Sequence, residues 1–272
     1  MTTEWRFIKA FAAHFARCAL HEGETVAVLS ESQSRPSVVE TARLAAQSLG
    51  GRVFDVVVPT PPSAHAVPIR STGASQALAG HPAVIAALAA SDLVIDCTVE
   101  GLLHSPELGQ VLAGGARVLM ISNEHPEVLE RIGWEPDMPR RVELGYQWLS
   151  SASLMRVTSA AGTDLSVQLN GAAAAGSTGL TSGPGSIAHW PGGLVAAFPA
   201  AHTVNGTVVL APGDMNLTFN TLIQSSVVLH IADDHIERIE GDGVDAILFR
   251  SYLAAFGDRE SYATSHVGWG MN

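Results

Sequence analysis

DLVIDCTVEGLLHSPELGQVLAGGARVLMI, residues 92–121, holds two short apolar runs on either side of a helical pattern. Asp92–Asp96 (DLVID) and Arg117–Ile121 (RVLMI) are short and continuously apolar at their centres, which predicts buried strands. Pro106–Ala113, between them, predicts a helix. A strand–helix–strand unit pairs its strands in parallel through a helical crossover. Working outward, Thr25–Leu29 and Val53–Val58 add two more strands, and residues 2–20, 36–49, 82–90, 125–132 and 138–152 add helices. The segment 36–49 opens on Pro36 and stops before Gly50-Gly51, the expected start and stop chemistry of a helix. A Pro/Ser/His-rich loop fills 59–73. Residues 1–150 therefore predict an open, doubly wound parallel sheet with helices on both faces.

The pattern changes after Ser151. Residues 153–159 and 164–169 read as two strands around Ala161-Gly162-Thr163, followed by a small-residue stretch from Gly171 to Gly185. GLVAAFP, GTVVLAPGD and SVVLHIADDHIERIEG follow, then a last helix at 245–256. The expectation is an α/β chain in two parts: a doubly wound domain over 1–150 and a β-rich α+β domain, carrying metal and substrate, over 151–272.

Composition narrows the function. Apolar residues make up 47% and charged residues 15%, which argues for buried cores over disorder. The net charge of −11, with no basic stripe to neutralise phosphates, excludes nucleic acid as an expected partner. The first twenty residues are interrupted by Glu4, Arg6, Lys9, His14 and Arg17, a pattern for an amphipathic helix and against a signal peptide. No run approaches the roughly 18 apolar residues that a membrane span needs. Cys18 and Cys97 are far apart and read as reduced apolar fillers, so a cytoplasmic protein is expected. The alanine-rich composition makes a homo-oligomer the expected assembly.

Ligands of open α/β sheets bind beyond the carboxyl ends of strands, which singles out Asp96-Cys97-Thr98 and the following Leu102-Leu103-His104-Ser105. Ser105 before Pro106 also reads as an ordinary helix cap. Dinucleotide and P-loop fingerprints are absent, as is HExxH; Gly183-Pro184-Gly185-Ser186 reads as a loop and not as a nucleophile elbow. Histidine is the informative residue type: there are eleven, against three tyrosines. His189-Trp190-Pro191-Gly192-Gly193 and His266-Val267-Gly268-Trp269-Gly270 each read as a tight turn carrying an imidazole and an indole. Imidazole ligates iron, zinc or copper and serves as a base near neutral pH. Asp214 and Asp233-Asp234 read as turn residues, the latter exposed in a hairpin.

Leu102–Glu107, His125-Pro126-Glu127-Val128-Leu129, His189-Trp190-Pro191 and Ser265–Gly270, in this order, resemble the 2,5-dihydroxypyridine 5,6-dioxygenase family, itself related to metallo-aminopeptidases of the aminopeptidase T type. The resemblance runs along essentially the whole chain. It implies a mononuclear Fe(II) site of two histidines and a carboxylate, and O₂-dependent opening of a dihydroxylated pyridine ring to N-formylmaleamate or a close analogue. His266 matches an iron ligand, His104 and His189 match catalytic pocket residues that contact the ring and shuttle its hydroxyl protons, and Leu103 matches an apolar wall of the substrate site. The small aromatic N-heterocycle and O₂ are thus the expected partners, and Fe(II) the expected cofactor. Two departures stand out. The family's other ligands form a His-x-Asp pair beyond the Gly-Trp-Gly segment, and no histidine here has aspartate two places on; the sequence is therefore expected to be C-terminally incomplete. Ser177 and Gly183 stand where the family carries acidic residues, which leaves room for a related ring.

Two other readings compete. An aminopeptidase T-like metallopeptidase needs a carboxylate cluster around two metals, and a truncated, non-catalytic relative would bind without turnover.

Overall fold

The computed structural model describes residues 3–63, 65, 67 and 74–271; most of the expected loop at 59–73 lies outside them. The first half alternates α1 (Trp5–Arg17), β1 (Thr25–Glu31), α2 (Pro36–Ser48), β2 (Arg52–Val58), α3 (Pro82–Ala89), β3 (Leu93–Asp96), α4 (Leu108–Ala113), β4 (Arg117–Ile121), α5 (Pro126–Arg131) and α6 (Met138–Ser151). The second half contains β5 (Leu154–Thr158), β6 (Asp164–Gln168), β7 (Ala173–Ser177), β8 (Ile187–Trp190), β9 (Leu194–Phe198), β10 (Val204–Leu210), β11 (Met215–Asn216), β12 (Thr221–Leu222), β13 (Val227–Ala232) and β14 (His235–Glu240). It closes with α7 (Val244–Ala254) and β15 (Val267–Gly270).

The strands of the first half form the expected parallel sheet and are joined by one strand of the second, in the order β2-β1-β3-β4-β8. Its alternating residues feed two cores. Val26, Val28, Leu93, Ile95, Leu119 and Ile121 pack under α1, α2 and α5, while Ala27, Leu29, Val94 and Val118 pack under α3 and α4. This two-sided burial is why the strand sequences are continuously apolar. α1 presents Phe7, Ile8, Phe11, His14 and Phe15 along one stripe. Fully buried, Phe11 and Phe15 each contribute about 1.5–3 kcal/mol. Arg117, at the start of β4, donates to the carbonyls of Cys18 and Ala19 and pairs with Glu24 at 2.7 Å, tying the end of α1 to the sheet.

The parallel sheet is not confined to residues 1–150. Its outer strand, β8, comes from residues 187–190 and pairs with β4 from Val118↔Ile187 to Ile121↔Trp190. The chain thus leaves the first half, builds β5–β7 and returns to complete the sheet. The rest is antiparallel, as the glycine-punctuated sequence predicts: β14-β13-β10-β6-β5 form one sheet and β15-β9-β7 another, among the described residues. The β5–β6 hairpin turns at Ala161-Gly162-Thr163 as expected. α6 covers the smaller sheet and brings Val142 and Leu149 into a core with Val195 and Ala197.

The helix expected from Pro106 begins two residues later, at Leu108. Ser105 is not its cap, because the Ser105 hydroxyl is taken by the Glu107 carboxylate at 2.7 Å. Cys18 and Cys97 are both buried and free. No helix among the described residues is long and apolar enough to cross a membrane.

Candidate functional site

The carboxyl ends of β1, β3, β4 and β8 deliver Glu31, Asp96, Ile121 and Trp190 to one edge of the parallel sheet. Asp96 is fully buried, and its carboxylate organises the loop that follows. One oxygen accepts from the Thr98 N–H at 3.0 Å and the Thr98 hydroxyl at 2.6 Å; the other accepts from the Leu102 N–H at 2.7 Å. Burial pushes its pKa up to about 6, with the Glu31 charge adding to the shift and the three donors opposing it. Glu31 accepts from the Ser75 hydroxyl at 3.1 Å and the Val99 N–H at 3.3 Å. The loop thus presents Leu103 and His104 at the surface, with Leu103 37% exposed.

His189 lies in β8, in register with Met120 of β4. Parallel partners in register project to the same face, here the side covered by α3 and α4. Gly101, two residues before Leu103, sits directly on Met120: a Cβ there would collide with the methionine methyl. The Gly101–His104 loop therefore lies over the same face of the strand ends as His189. His189 Nδ1 is 2.9 Å from the Pro191 carbonyl. A carbonyl only accepts, so Nδ1 carries the proton and Nε2 keeps its lone pair. Burial lowers the His189 pKa below the ordinary imidazole value, so the ring is neutral near pH 7.

His266 is elsewhere. The segment expected as a tight turn is strand β15, which pairs antiparallel with β9 from Val267↔Ala197 to Gly270↔Leu194. Gly268 lies flat on the β9 backbone, where a Cβ would meet the Val195 carbonyl. This ladder places His266 beside Phe198, with ring centroids 5.8 Å apart, at the far end of β9 from the Trp190–Gly193 turn. His266 is exposed, and its Nδ1 lies 3.4 Å from the Ser265 hydroxyl. Among the described residues no group of three or more His, Cys, Asp or Glu side chains is placed to hold a metal. His266 alone does not make a three-ligand iron site.

His125, in a segment that carries the resemblance, acts locally: it caps α5 by accepting from the Glu127 N–H at 3.2 Å, and its ring meets Phe7 edge-on. Ser177 ends β7 and its carbonyl accepts from Gly193 N–H at 2.7 Å; Gly183 sits in a turn closed on the Ser186 hydroxyl. Asp233-Asp234 are not merely exposed turn residues. Both have positive φ, and the Asp234 carboxylate accepts from the N–H groups of His202, Thr203 and Val204. Its carbonyl accepts from Thr264 N–H at 2.7 Å, two residues before His266. Residue type alone did not reveal this, since the partners are about 30 residues away in sequence in each direction.

The sequence reading also missed His14. It is 6% exposed, stacks on Trp190 at 4.2 Å with rings 10° from parallel, and places Nε2 2.8 Å from the Gly179 carbonyl. Burial lowers its pKa to about 4. A cavity of about 240 Å³ adjoins it, on the opposite side of the sheet from His189, lined by Arg17, Trp134, Trp190 and Pro191 among others.

The model of the family described as 2,5-dihydroxypyridine 5,6-dioxygenase (NicX) matches residues 6–272. A curated protein of that name from Pseudomonas putida strain KT2440 is 37% identical over 252 residues, covering 92% of this chain and 71% of the relative. A solved structure of the 2,5-dihydroxypyridine dioxygenase from the same strain superposes with a TM-score of 0.86 at 35% identity, over 98% of this chain and 76% of that one. AmpT from Thermus thermophilus superposes with a TM-score of 0.58 at 13% identity, over 97% and 78% of the two chains, a likeness of fold alone. The chain belongs to the 2,5-dihydroxypyridine 5,6-dioxygenase family and is a dioxygenase.

Proposed function

We propose that this chain opens a dihydroxylated pyridine ring with O₂, with 2,5-dihydroxypyridine as the substrate and N-formylmaleamate or a close analogue as the product. One observation carries the chemistry: His189 holds its Nδ1 proton on the Pro191 carbonyl and leaves Nε2 as a neutral base. A ring hydroxyl must lose its proton before the ring becomes electron-rich enough to react with O₂. Nε2 of His189 accepts that proton, a contribution of about 10²–10⁴ in rate for a well-placed base. His104, on the loop over the same sheet face, contacts the ring from the solvent side and passes protons outward. Leu103 supplies apolar surface against the ring.

Fe(II) is the proposed cofactor, with His266 as one ligand; when bound it would supply the site for O₂. The described residues do not provide the other ligands, so the proton chemistry above is assigned to imidazoles alone. The free, buried thiols of Cys18 and Cys97 support a cytoplasmic setting. The AmpT likeness extends to fold only, so a metallopeptidase activity has no support beyond architecture. Anaerobic loading with Fe(II), followed by O₂ uptake on adding 2,5-dihydroxypyridine, tests the proposal. Uptake coupled to loss of the ring chromophore is expected; no uptake with any dihydroxypyridine overturns the substrate assignment.

A further inference from the structure

The bond that sets the His189 tautomer ends on Pro191, in the turn between β8 and β9, so whatever holds this turn holds the base. Two stretches of chain meet there. Gly193 N–H donates to the Ser177 carbonyl at 2.7 Å, and Gly192 packs against Gly179 so closely that a Cβ on Gly192 would collide with the Gly179 backbone. From beneath, one side chain touches both stretches. His14 stacks on Trp190, the residue before Pro191, and its Nε2 lies 2.8 Å from the Gly179 carbonyl. The carbonyl only accepts, so Nε2 carries the proton. A stacked imidazole with one N–H satisfies both contacts; phenylalanine would keep the stack without the donor, and glutamine the donor without the stack.

We infer that His14 is a positioning residue for His189: it clamps Trp190 to Gly179 and so fixes the Pro191 carbonyl that selects the Nδ1–H tautomer of His189. The inference rests on the reading of His189 as the base. It does not involve contact between His14 and substrate, because the imidazole lies on the α1 side of the sheet and His189 on the α3–α4 side. The neighbouring anchor, Thr181 hydroxyl to the Cys18 carbonyl at 3.0 Å, does not depend on His14 and keeps the 177–181 segment on α1 when it is replaced.

The test uses the full chain labelled with ¹⁵N-histidine, in which long-range ¹H–¹⁵N correlations report the tautomer of each ring; the His189 signals are assigned by their loss in H189Q. The wild type is expected to show a single Nδ1–H tautomer at His189. H14F is expected to show a mixture and to lose about tenfold to a hundredfold in kcat for 2,5-dihydroxypyridine. Its KM should stay within about twofold, as for a change felt mainly in the transition state. H14Q should fall between H14F and wild type. Either variant, once folded, with the wild-type tautomer and wild-type kcat overturns the inference, so H14Q decides alone if H14F does not fold. Wild-type kcat in H189Q would instead remove His189 as the base, while the tautomer comparison would still decide the role of His14.

Discussion

His189 and His266 sit at the two ends of one strand, β9, and are held in opposite ways. His189 precedes it on β8, the outer strand of the parallel sheet, with its ring nitrogen bonded to a backbone carbonyl and its neighbour Trp190 stacked on His14. His266 lies beside its far end, exposed, with one long contact to a hydroxyl and a tilted ring contact to Phe198. The first is a side chain with one orientation and one protonation state; the second is fixed at its backbone only. A general base gains from being locked, because the geometry of proton transfer is set before substrate arrives. A histidine that holds a metal is also oriented by hydrogen-bonding neighbours, and among the described residues His266 has the Ser265 hydroxyl, at 3.4 Å, in that place.

This contrast is tested most severely at His189. H189Q should lower kcat by about 10²–10⁴ while leaving the fold intact, measured by O₂ uptake alongside thermal unfolding. Wild-type turnover in the folded variant would erase the distinction between the two ends.

The buried partner His14 gives the next largest effect, on stability. Its folded pKa of about 4 lies below the unfolded value of roughly 6.5, so the unfolded chain takes the proton first as pH falls. The stability is complete above pH 6.5 and is lost as pH falls towards 4, in total about 3 kcal/mol. Asp96 works in the other direction. Its folded pKa is raised to about 6, so its contribution is present below the unfolded value near 3.8 and is lost as pH rises through 6. The wild-type profile mixes the two, so the measurement is the difference between wild type and H14Q in urea midpoints from pH 7 to pH 4. The advantage of the wild type should shrink as pH falls; a constant difference would show that His14 is not held neutral.

At the opposite end, D234A should cost about 1–3 kcal/mol by leaving the N–H groups of His202, Thr203 and Val204 without their acceptor. D234G should cost less than D234A, since glycine adopts the positive φ of this turn freely. Equal losses in the two variants, read from urea unfolding, would mean that backbone strain contributes nothing here. The smallest effect on stability is expected from H266A, within about 0.5 kcal/mol of wild type. Bound iron, measured by metal analysis after anaerobic loading, should fall in the same variant; unchanged iron would remove His266 from the ligand set.

The parallel half of the fold was legible in residues 92–121 and their flanks. Strands buried on both faces are continuously apolar, and helices between them announce themselves by Pro36 or Pro82 at their starts. β8 was not legible as part of that sheet: IAHW carries a histidine, follows a glycine-rich stretch and lies among antiparallel strands. β15 read as a turn because Gly268 and Gly270 usually mark one; here the absence of a Cβ lets Gly268 lie on the Val195 carbonyl. His104, His189 and His266 could be named as candidates from local motifs and family resemblance. Their separation could not, because strand register sets it.

Composition, apolar period and helix stop signals are properties of neighbours in the chain, and from them follow the layered α/β architecture and the buried strands. The tautomer of His189, the neutral His14 beneath it and the Asp234 knot depend on groups far apart in the chain. His14 and Gly179 are 165 positions apart, Asp234 and Val204 are 30. Burial and hydrogen bonding act through space, so protonation states and ring orientations become defined only when the chain has closed on itself.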